Sequence, residues 1–430
     1  MGKTTILACV TAALCLSAAA QAQNITITHA RVLDGTGKVI ENGHVVVRDG
    51  RVASVGAGMP AAGSAGPKAR VIDAKGRTVM PGYIDAHRHV VKGNAAEWLD
   101  KRAAGELQAF LDAGFTTVLG AIDPPQLLEA RKRITAGTLQ GPRLFVGTMI
   151  PLAGMLPPAP PKPGAPQGFN DPARTDPARL PFGGPAAPAI PREVTLKMID
   201  AAKAGGYDYL KTIMNATPGG PEIATQQFVV EEGRKRGLPT ITHAVSVRDT
   251  LASLDSKPAL LVHTPHIGDL GVDTAALKRI VDAHIPMTST LQVFLPHFGP
   301  DGKPLFRDGG PFPFDTLSSA GQGPVNARHL WEAGLKNYGF GTDTQWPPKE
   351  TLFDELRALA LVFSPAEIVT ILTKNAGDAT MHGSEIGTLE PGKFGDLVIV
   401  DGNPMVRTAD LLNVVTTVKG GVVVFEKKTR

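Results

Sequence analysis

The sequence predicts an α/β protein: a distorted TIM-type (β/α)8 barrel joined to a small β-sandwich built from both chain ends. Two observations point there. Short apolar runs alternate with amphipathic stretches through the middle of the chain, the mark of parallel βαβ units. Both ends instead carry short alternating strands with turn residues between them. A doubly wound open sheet is the competing fold, but it would more naturally show a Gly-rich phosphate loop after its first middle strand, and none is present.

Taken in order, residues 1–22 read as an export signal. Lys3 supplies the positive start, Ile6 to Leu16 an apolar core too short for a stable span, and Ala20-Gln21-Ala22 a small-x-small cleavage site. The mature chain is expected to begin at Gln23, in the periplasm or outside the cell, with no membrane attachment once the signal is removed. Residues 23–79 form the first part of the sandwich. Ile25-Thr26-Ile27-Thr28 alternates, and Asp49-Gly50 follows Gly43-His44-Val45-Val46-Val47 as a hairpin signal. Residues 80–383 form the barrel and 384–430 complete the sandwich, through Asp396-Leu397-Val398-Ile399-Val400 and Gly420-Gly421-Val422-Val423-Val424.

Eight barrel strands are expected near Ile84-Asp85, Thr117-Val118-Leu119, Leu144-Phe145-Val146, Tyr209-Leu210-Lys211, Thr240-Ile241-Thr242, Leu260-Leu261-Val262, Met287-Thr288-Ser289 and Phe340-Gly341-Thr342. Helices are expected over 224–236 and 274–284, among others. Two connections, 148–192 and 292–323, are long and rich in Pro and Gly. They follow strands three and seven, so they leave the C-terminal rim, where barrel active sites lie.

Composition removes several function classes. The formal net charge is +4, from 44 basic and 40 acidic residues scattered among one another, which is no footprint for nucleic acid. The only cysteines, Cys9 and Cys15, lie in the expected signal. A mature chain without thiols has no disulfide, no thiolate metal ligand and no cysteine nucleophile. Any metal must be held by imidazole, carboxylate or something rarer.

The strongest local signal is Met80-Pro81-Gly82-Tyr83-Ile84-Asp85-Ala86-His87-Arg88-His89. His87 and His89, two apart at a strand end, project the same way and can share a cation. Arg88 between them faces the other side and is read as structural. His243, His263 and Asp343 stand at the ends of strands five, six and eight, and Lys211 lies within strand four. Singly, each has an ordinary explanation as an interior polar residue or cap. Jointly, barrel geometry brings four imidazoles, a carboxylate and a buried lysine to one small volume, where without an ion they would stay partly unpaired.

This arrangement resembles the metal-dependent amidohydrolase superfamily, in the binuclear branch of imidazolonepropionase-like proteins, Xaa-Pro dipeptidases and ochratoxinase-type amide hydrolases. The resemblance spans nearly all of the mature chain. It includes Leu111-Asp112-Ala113-Gly114-Phe115-Thr116-Thr117-Val118, Gly141-Pro142-Arg143, Gly387-Thr388-Leu389-Glu390-Pro391-Gly392-Lys393-Phe394-Gly395-Asp396-Leu397 and Asp401-Gly402-Asn403-Pro404. It implies that His87, His89 and Asp343 hold a more buried cation and His243 and His263 a more exposed one. Lys211 would bridge them as a CO2-derived carbamate. Zinc suits this donor set best, with manganese, cobalt and nickel also compatible. The implied reaction is carboxypeptidase-like cleavage of an amide: activated water attacks the carbonyl carbon, and Asp343 carries a proton from the water to the leaving nitrogen. His266 and His297 are weaker candidates for an oxyanion donor.

The chain departs from Xaa-Pro-cleaving relatives in two places. Pro151-Leu152-Ala153-Gly154 stands where a Gly-Gly-His-Gly-like stretch is common, and Val262-His263-Thr264 where Glu-His-Gly is common. The two long loops hold Phe169, Phe182, Phe294, Phe298, Phe306, Phe312 and Phe314, seven of the 16 phenylalanines. That enrichment asks for an apolar wall or a contact between copies. The expected substrate is a small amide with a bulky aromatic or apolar group, such as an N-acyl amino acid or an ochratoxin-like amide, and a homo-oligomer is expected. Alternatives are an Xaa-Pro dipeptidase, a mononuclear deaminase or cyclic-amide hydrolase on the same fold, and a non-catalytic barrel.

Overall fold

The structure is a computed structural model that describes residues 24–154, 188–294 and 319–428. The expected signal, His297 and most of the Phe-rich loops fall outside the described residues.

The first strands are β1 (Ile25–Leu33), β2 (Val39–Arg48), β3 (Arg51–Ala57), β4 (Arg70–Asp73) and β5 (Thr78–Pro81). Asp49 and Gly50 both have positive φ, 52° and 76°, which is the two-residue turn that matches strand twist between β2 and β3. The barrel strands follow: β6 (Tyr83–Arg88), β7 (Phe115–Gly120), β8 (Arg143–Met149), β9 (Tyr209–Ile213), β10 (Thr240–His243), β11 (Leu260–Leu261), β12 (Met287–Thr288) and β13 (Tyr338–Gly339). The last strands, β14 (Leu397–Val400), β15 (Val414–Lys419) and β16 (Val422–Glu426), return to the first group.

Hydrogen bonding joins the two ends into one sheet, in the order β16-β15-β14-β5-β1-β2-β3, with β4 also pairing with β1. The register of β1 slips between Ile27 and Ala30, where His29 has φ 49°. Its first half pairs with β4 and its second half with β5. The sheet therefore bends around a core of its own, which includes Ile27, Val45, Val79, Leu397, Ile399 and Val418. The sandwich expected from the sequence is thus one continuous folded sheet.

The eight barrel strands run parallel in sequence order from β6 to β13. Ladder pairing stops short of joining β13 to β6, but the backbone closes the gap. Ala86 N donates to Phe340 O at 3.0 Å, and Thr342 N donates to His87 O at 3.0 Å. The barrel interior and its helices form the main core, with Tyr83, Phe115, Tyr209, Tyr338 and Phe340 all fully buried. Gly82 alone separates β5 from β6. A Cβ there would lie 2.2 Å from Thr116 Oγ1, so only glycine fits this crossing between the two sheets.

The expected helices lie over Glu222–Lys235 and Thr274–Asp282. Asp273 caps the second by accepting Ala276 N. The long connections are shorter than their composition implied. Thr148 and Met149 extend β8 by pairing with Leu210 and Lys211. Gln292–Phe294 form a 3-10 turn, and a helix begins at Ser319.

Candidate metal centre

The C-terminal rim of the barrel gathers the polar residues singled out in the sequence. His87 is the penultimate residue of β6, and His89 follows the strand by one residue. Lys211 lies inside β9, and His243 ends β10. His263 and Asp343 stand two and four residues beyond the short strands β11 and β13, so both belong to the rim turns rather than to the ladders. The strands are short there because their neighbours bond to the turns instead: Thr290 N donates to Gly341 O, and Asp343 N to His87 O at 2.7 Å.

The distances are close. His89 Nε2 lies 2.9 Å from Asp343 Oδ1, and His87 Nε2 lies 3.4 Å from the same oxygen. One donor atom from each of these three residues falls within a sphere of mutual distances under 4.8 Å. Lys211 Nζ is 3.0 Å from His87 Nε2. His263 Nε2 is 3.6 Å from Asp343 Oδ2. The His263 ring meets His87 at 4.9 Å and His243 at 4.3 Å between centroids. His87, Lys211 and His263 are fully buried, whereas the His89 side chain keeps 27% of its exposure and Asp343 14%.

Burial sets the protonation of this cluster. It pulls His87 and His263 well below the usual imidazole value and His243 to about 4, so all three present neutral nitrogens. It also pulls the Lys211 ammonium down to about 7, and among the described residues no carboxylate lies within salt-bridge distance of it. Burial pushes Asp343 up, but the surrounding imidazoles outweigh it and hold the carboxyl well below its ordinary range. Burial lowers His89, but its bond to Asp343 outweighs this and raises it overall. Neutral imidazoles, an ionised carboxylate and a lysine that loses its proton near neutrality are a donor set suited to divalent cations. Buried His87 Nδ1 has no hydrogen-bond partner among the described residues, a cost that the cluster must recover elsewhere.

Two rim residues carry strained backbone. Asp343 has φ 48° and Thr290 has φ 44°. Positive φ is a true outlier for a β-branched residue. Thr290 Oγ1 lies 2.8 Å from His263 Nδ1, so the strained turn holds an imidazole of the cluster.

Several supporting residues are not apparent from the sequence. Asp123, beyond β7, accepts Val91 N at 2.8 Å and Val90 N at 3.1 Å, fixing the chain just past His89. Asp85 accepts Thr342 Oγ1 at 2.6 Å. Glu355 accepts Leu291 N at 3.0 Å and Gln292 N at 2.7 Å, clamping the turn after β12. Burial pushes these carboxyls up, Asp123 to about 7, Asp85 to about 6 and Glu355 to about 7. The available signals are an acid at the end of a barrel strand (Asp123) and an acid in the apolar stripe of a helix, beside Leu352, Leu356 and Leu359 (Glu355). Arg88 faces away from the cluster, as its strand position requires. It donates to Thr342 Oγ1 at 3.0 Å and to the Trp346 carbonyl.

A cavity of about 770 Å³ opens over the cluster. His89, Lys211, His243 and Asp343 lie on its floor, and Ile122, Ile213, Val293, Trp346 and Pro347 supply apolar wall. His266 is buried but is not among the lining residues. Its ring packs against Gly323, where a Cβ would approach Nδ1 to 2.2 Å.

A model of the amidohydrolase family matches residues 78–424. The chain belongs to that family. Membership makes it a metal-dependent hydrolase acting on C–N bonds. The imidazolonepropionase of Streptococcus sanguinis is 38% identical, but only over 60 residues, and the match spans 14% of each chain. That of Shouchella clausii is 26% identical over 428 residues, covering 90% of this chain and 86% of the other. Among solved structures, a Xaa-Pro dipeptidase with bound methionine superposes with a TM-score of 0.71 at 18% identity, covering 94% of this chain and 100% of that one. The A. niger ochratoxinase gives 0.69 at 17% identity, covering 94% and 96%. At these identities the superpositions speak for the fold alone.

Proposed function

We propose that this amidohydrolase cleaves an amide bond in a small molecule with a bulky aromatic or apolar group, such as an N-acyl amino acid or an ochratoxin-like amide. It would use two divalent cations, with zinc as the best match. His87, His89 and Asp343 would hold one, His243 and His263 the other, and Lys211 would join them as a carbamate. The observation that carries this reading is the tight group of His87, His89 and Asp343 with Lys211 Nζ 3.0 Å from His87, on the floor of a largely apolar cavity.

Such cations polarise a carbonyl and acidify a water molecule. The chain supplies the rest. Lys211, whose burial pulls it to about 7 so that a substantial fraction is neutral near neutrality, can add CO2 with loss of one proton to solvent. Asp343, ionised and at the cavity floor, accepts a proton from the attacking water and passes it to the leaving nitrogen as the C–N bond breaks and the C–O bond forms. The products are a carboxylate and an amine. Ile122, Val293, Trp346 and Pro347 exclude water from the apolar end of the substrate. Were residues 1–22 to act as an export signal, as their sequence suggests, this reaction would take place outside the cytoplasm.

The test is turnover of a panel of aromatic N-acyl amino acids against Xaa-Pro dipeptides, using protein supplied with zinc and bicarbonate. Faster turnover of the acyl amino acids supports the proposal, and faster turnover of the dipeptides rejects it. A mononuclear centre is the second reading, because three donors alone converge within 4.8 Å among the described residues. It expects one ion per chain and no effect of Lys211→Ala on metal content.

A further inference from the structure

Lys92 is a cation of the cavity wall that the proposed chemistry does not use. It lies three residues beyond His89 and lines the same cavity. Apart from the proposed ligands, every other side chain on that lining is uncharged. A second cavity of about 320 Å³ adjoins the first, and His89, Lys92, Trp346 and Pro347 line both. Lys92 thus stands at the junction of the metal floor and a side chamber walled by Phe110, Trp346 and Pro347.

The backbone here is pinned. Asp123 holds Val90 N and Val91 N, and Arg102 donates to the Lys92 carbonyl. The ammonium is not. Among the described residues it makes no hydrogen bond and no ion pair. The acid that also lines the side chamber, Glu106, is already engaged by Trp98 Nε1 at 2.9 Å and Arg102 Nη1 at 3.3 Å. A half-buried lysine on a pinned backbone, which Glu106 and Glu350 act on through space without a hydrogen bond to either, next to a mainly apolar chamber, fits an anion brought by the substrate.

Resting on the amide-hydrolase reading above, we infer that Lys92 binds the free carboxylate of the amino acid released by cleavage, with its side chain in the chamber lined by Phe110, Trp346 and Pro347. This makes the enzyme an exopeptidase-type hydrolase of N-acyl amino acids and Lys92 its specificity residue. The geometry allows it. Three residues of chain span at most about 11 Å, and in an N-acyl amino acid three bonds separate the scissile carbon from the carboxylate carbon. A lysine side chain bridges the remainder.

The experiment compares N-benzoyl-L-phenylalanine with its carboxamide, which keeps the shape and removes the charge. Wild type, Lys92→Met and Lys92→Arg are assayed as full chains loaded with zinc. The acid-to-carboxamide ratio of kcat/KM is expected to fall about tenfold to a hundredfold in Lys92→Met, through KM, because a charge-assisted hydrogen bond is lost. Lys92→Arg should restore most of it. Calorimetry on metal-free protein gives a second readout: the acid should bind wild type more tightly than the carboxamide, and Lys92→Met should erase that preference. An unchanged ratio in Lys92→Met together with an unchanged binding preference overturns the inference. If wild type hydrolyses neither compound, the amide-hydrolase reading fails on its own. The binding preference still decides whether Lys92 recognises the carboxylate.

Discussion

Thr290→Val tests whether the strained turn after β12 exists to orient an imidazole. The substitution keeps the side-chain volume and the β-branch, so the backbone strain at φ 44° is retained. It removes only the hydroxyl that lies 2.8 Å from His263 Nδ1, in a place where both residues are fully buried. With Nδ1–H donating to Thr290, the tautomer of His263 is fixed and Nε2 keeps its lone pair toward Asp343. Removing the hydroxyl that partners this buried ring nitrogen costs about 1–3 kcal/mol. Losing the partner that orients a metal-binding histidine typically lowers metal affinity roughly 10- to 100-fold. Zinc affinity measured by chelator competition should fall by that factor, and urea unfolding of the metal-free protein should shift to lower midpoint with unchanged slope. Equal zinc affinity in Thr290→Val and wild type would show that this hydroxyl does not orient a ligand.

The remaining predictions follow from the same contacts. Gly82→Ala places a Cβ 2.2 Å from Thr116 Oγ1 at the crossing between the two sheets, and overpacking of this kind should cost about 1–3 kcal/mol, read by denaturant unfolding. Burial raises the Glu355 carboxyl to about 7, so the fold favours its protonated form. Its contribution to stability is therefore fully present below about 4.5 and is lost as pH rises through about 7; Glu355→Gln should flatten the pH dependence of unfolding between pH 5 and 8, and an unaltered slope would refute the assignment. Burial lowers Lys211 to about 7, so its neutral, CO2-reactive form fades as pH falls through that value. Reconstitution of metal-free protein with zinc and bicarbonate should accordingly be faster at pH 8 than at pH 6, followed by the appearance of activity.

How much of this was legible in the sequence depends on the kind of contact. The eight barrel strands can be placed because each is a short apolar run bounded by helix signals; β6 to β12 overlap those runs, whereas β13 (Tyr338–Gly339) ends just before the expected Phe340-Gly341-Thr342, whose residues instead bond to β6 from the rim. Strand lengths cannot. β11 and β13 keep two ladder residues each, because the rim turns carrying His263 and Asp343 take over the bonding, and nothing in a local window shows that exchange. The His87–His89 pair declares itself through spacing, Lys211 through its place within a barrel strand, and His243, His263 and Asp343 through their places at or just beyond strand ends. The residues that hold them do not. Asp123 acts on backbone amides 32 and 33 positions away, and Glu355 on amides 63 and 64 positions away. Their role is fixed by tertiary proximity, while their local pattern is that of any acid near a helix or strand end. The single bent sheet is hidden for a similar reason, since the kink at His29 is a backbone conformation that a non-glycine residue seldom adopts.

The central claim is that six side chains at one barrel rim hold a pair of cations bridged by Lys211. Metal analysis of protein reconstituted with zinc and bicarbonate, combined with anomalous diffraction at the zinc edge, measures it directly. Two ions per chain flanking Lys211, with loss of metal in Lys211→Ala, is the predicted result. A folded chain that takes up no ion beside Lys211 would contradict it.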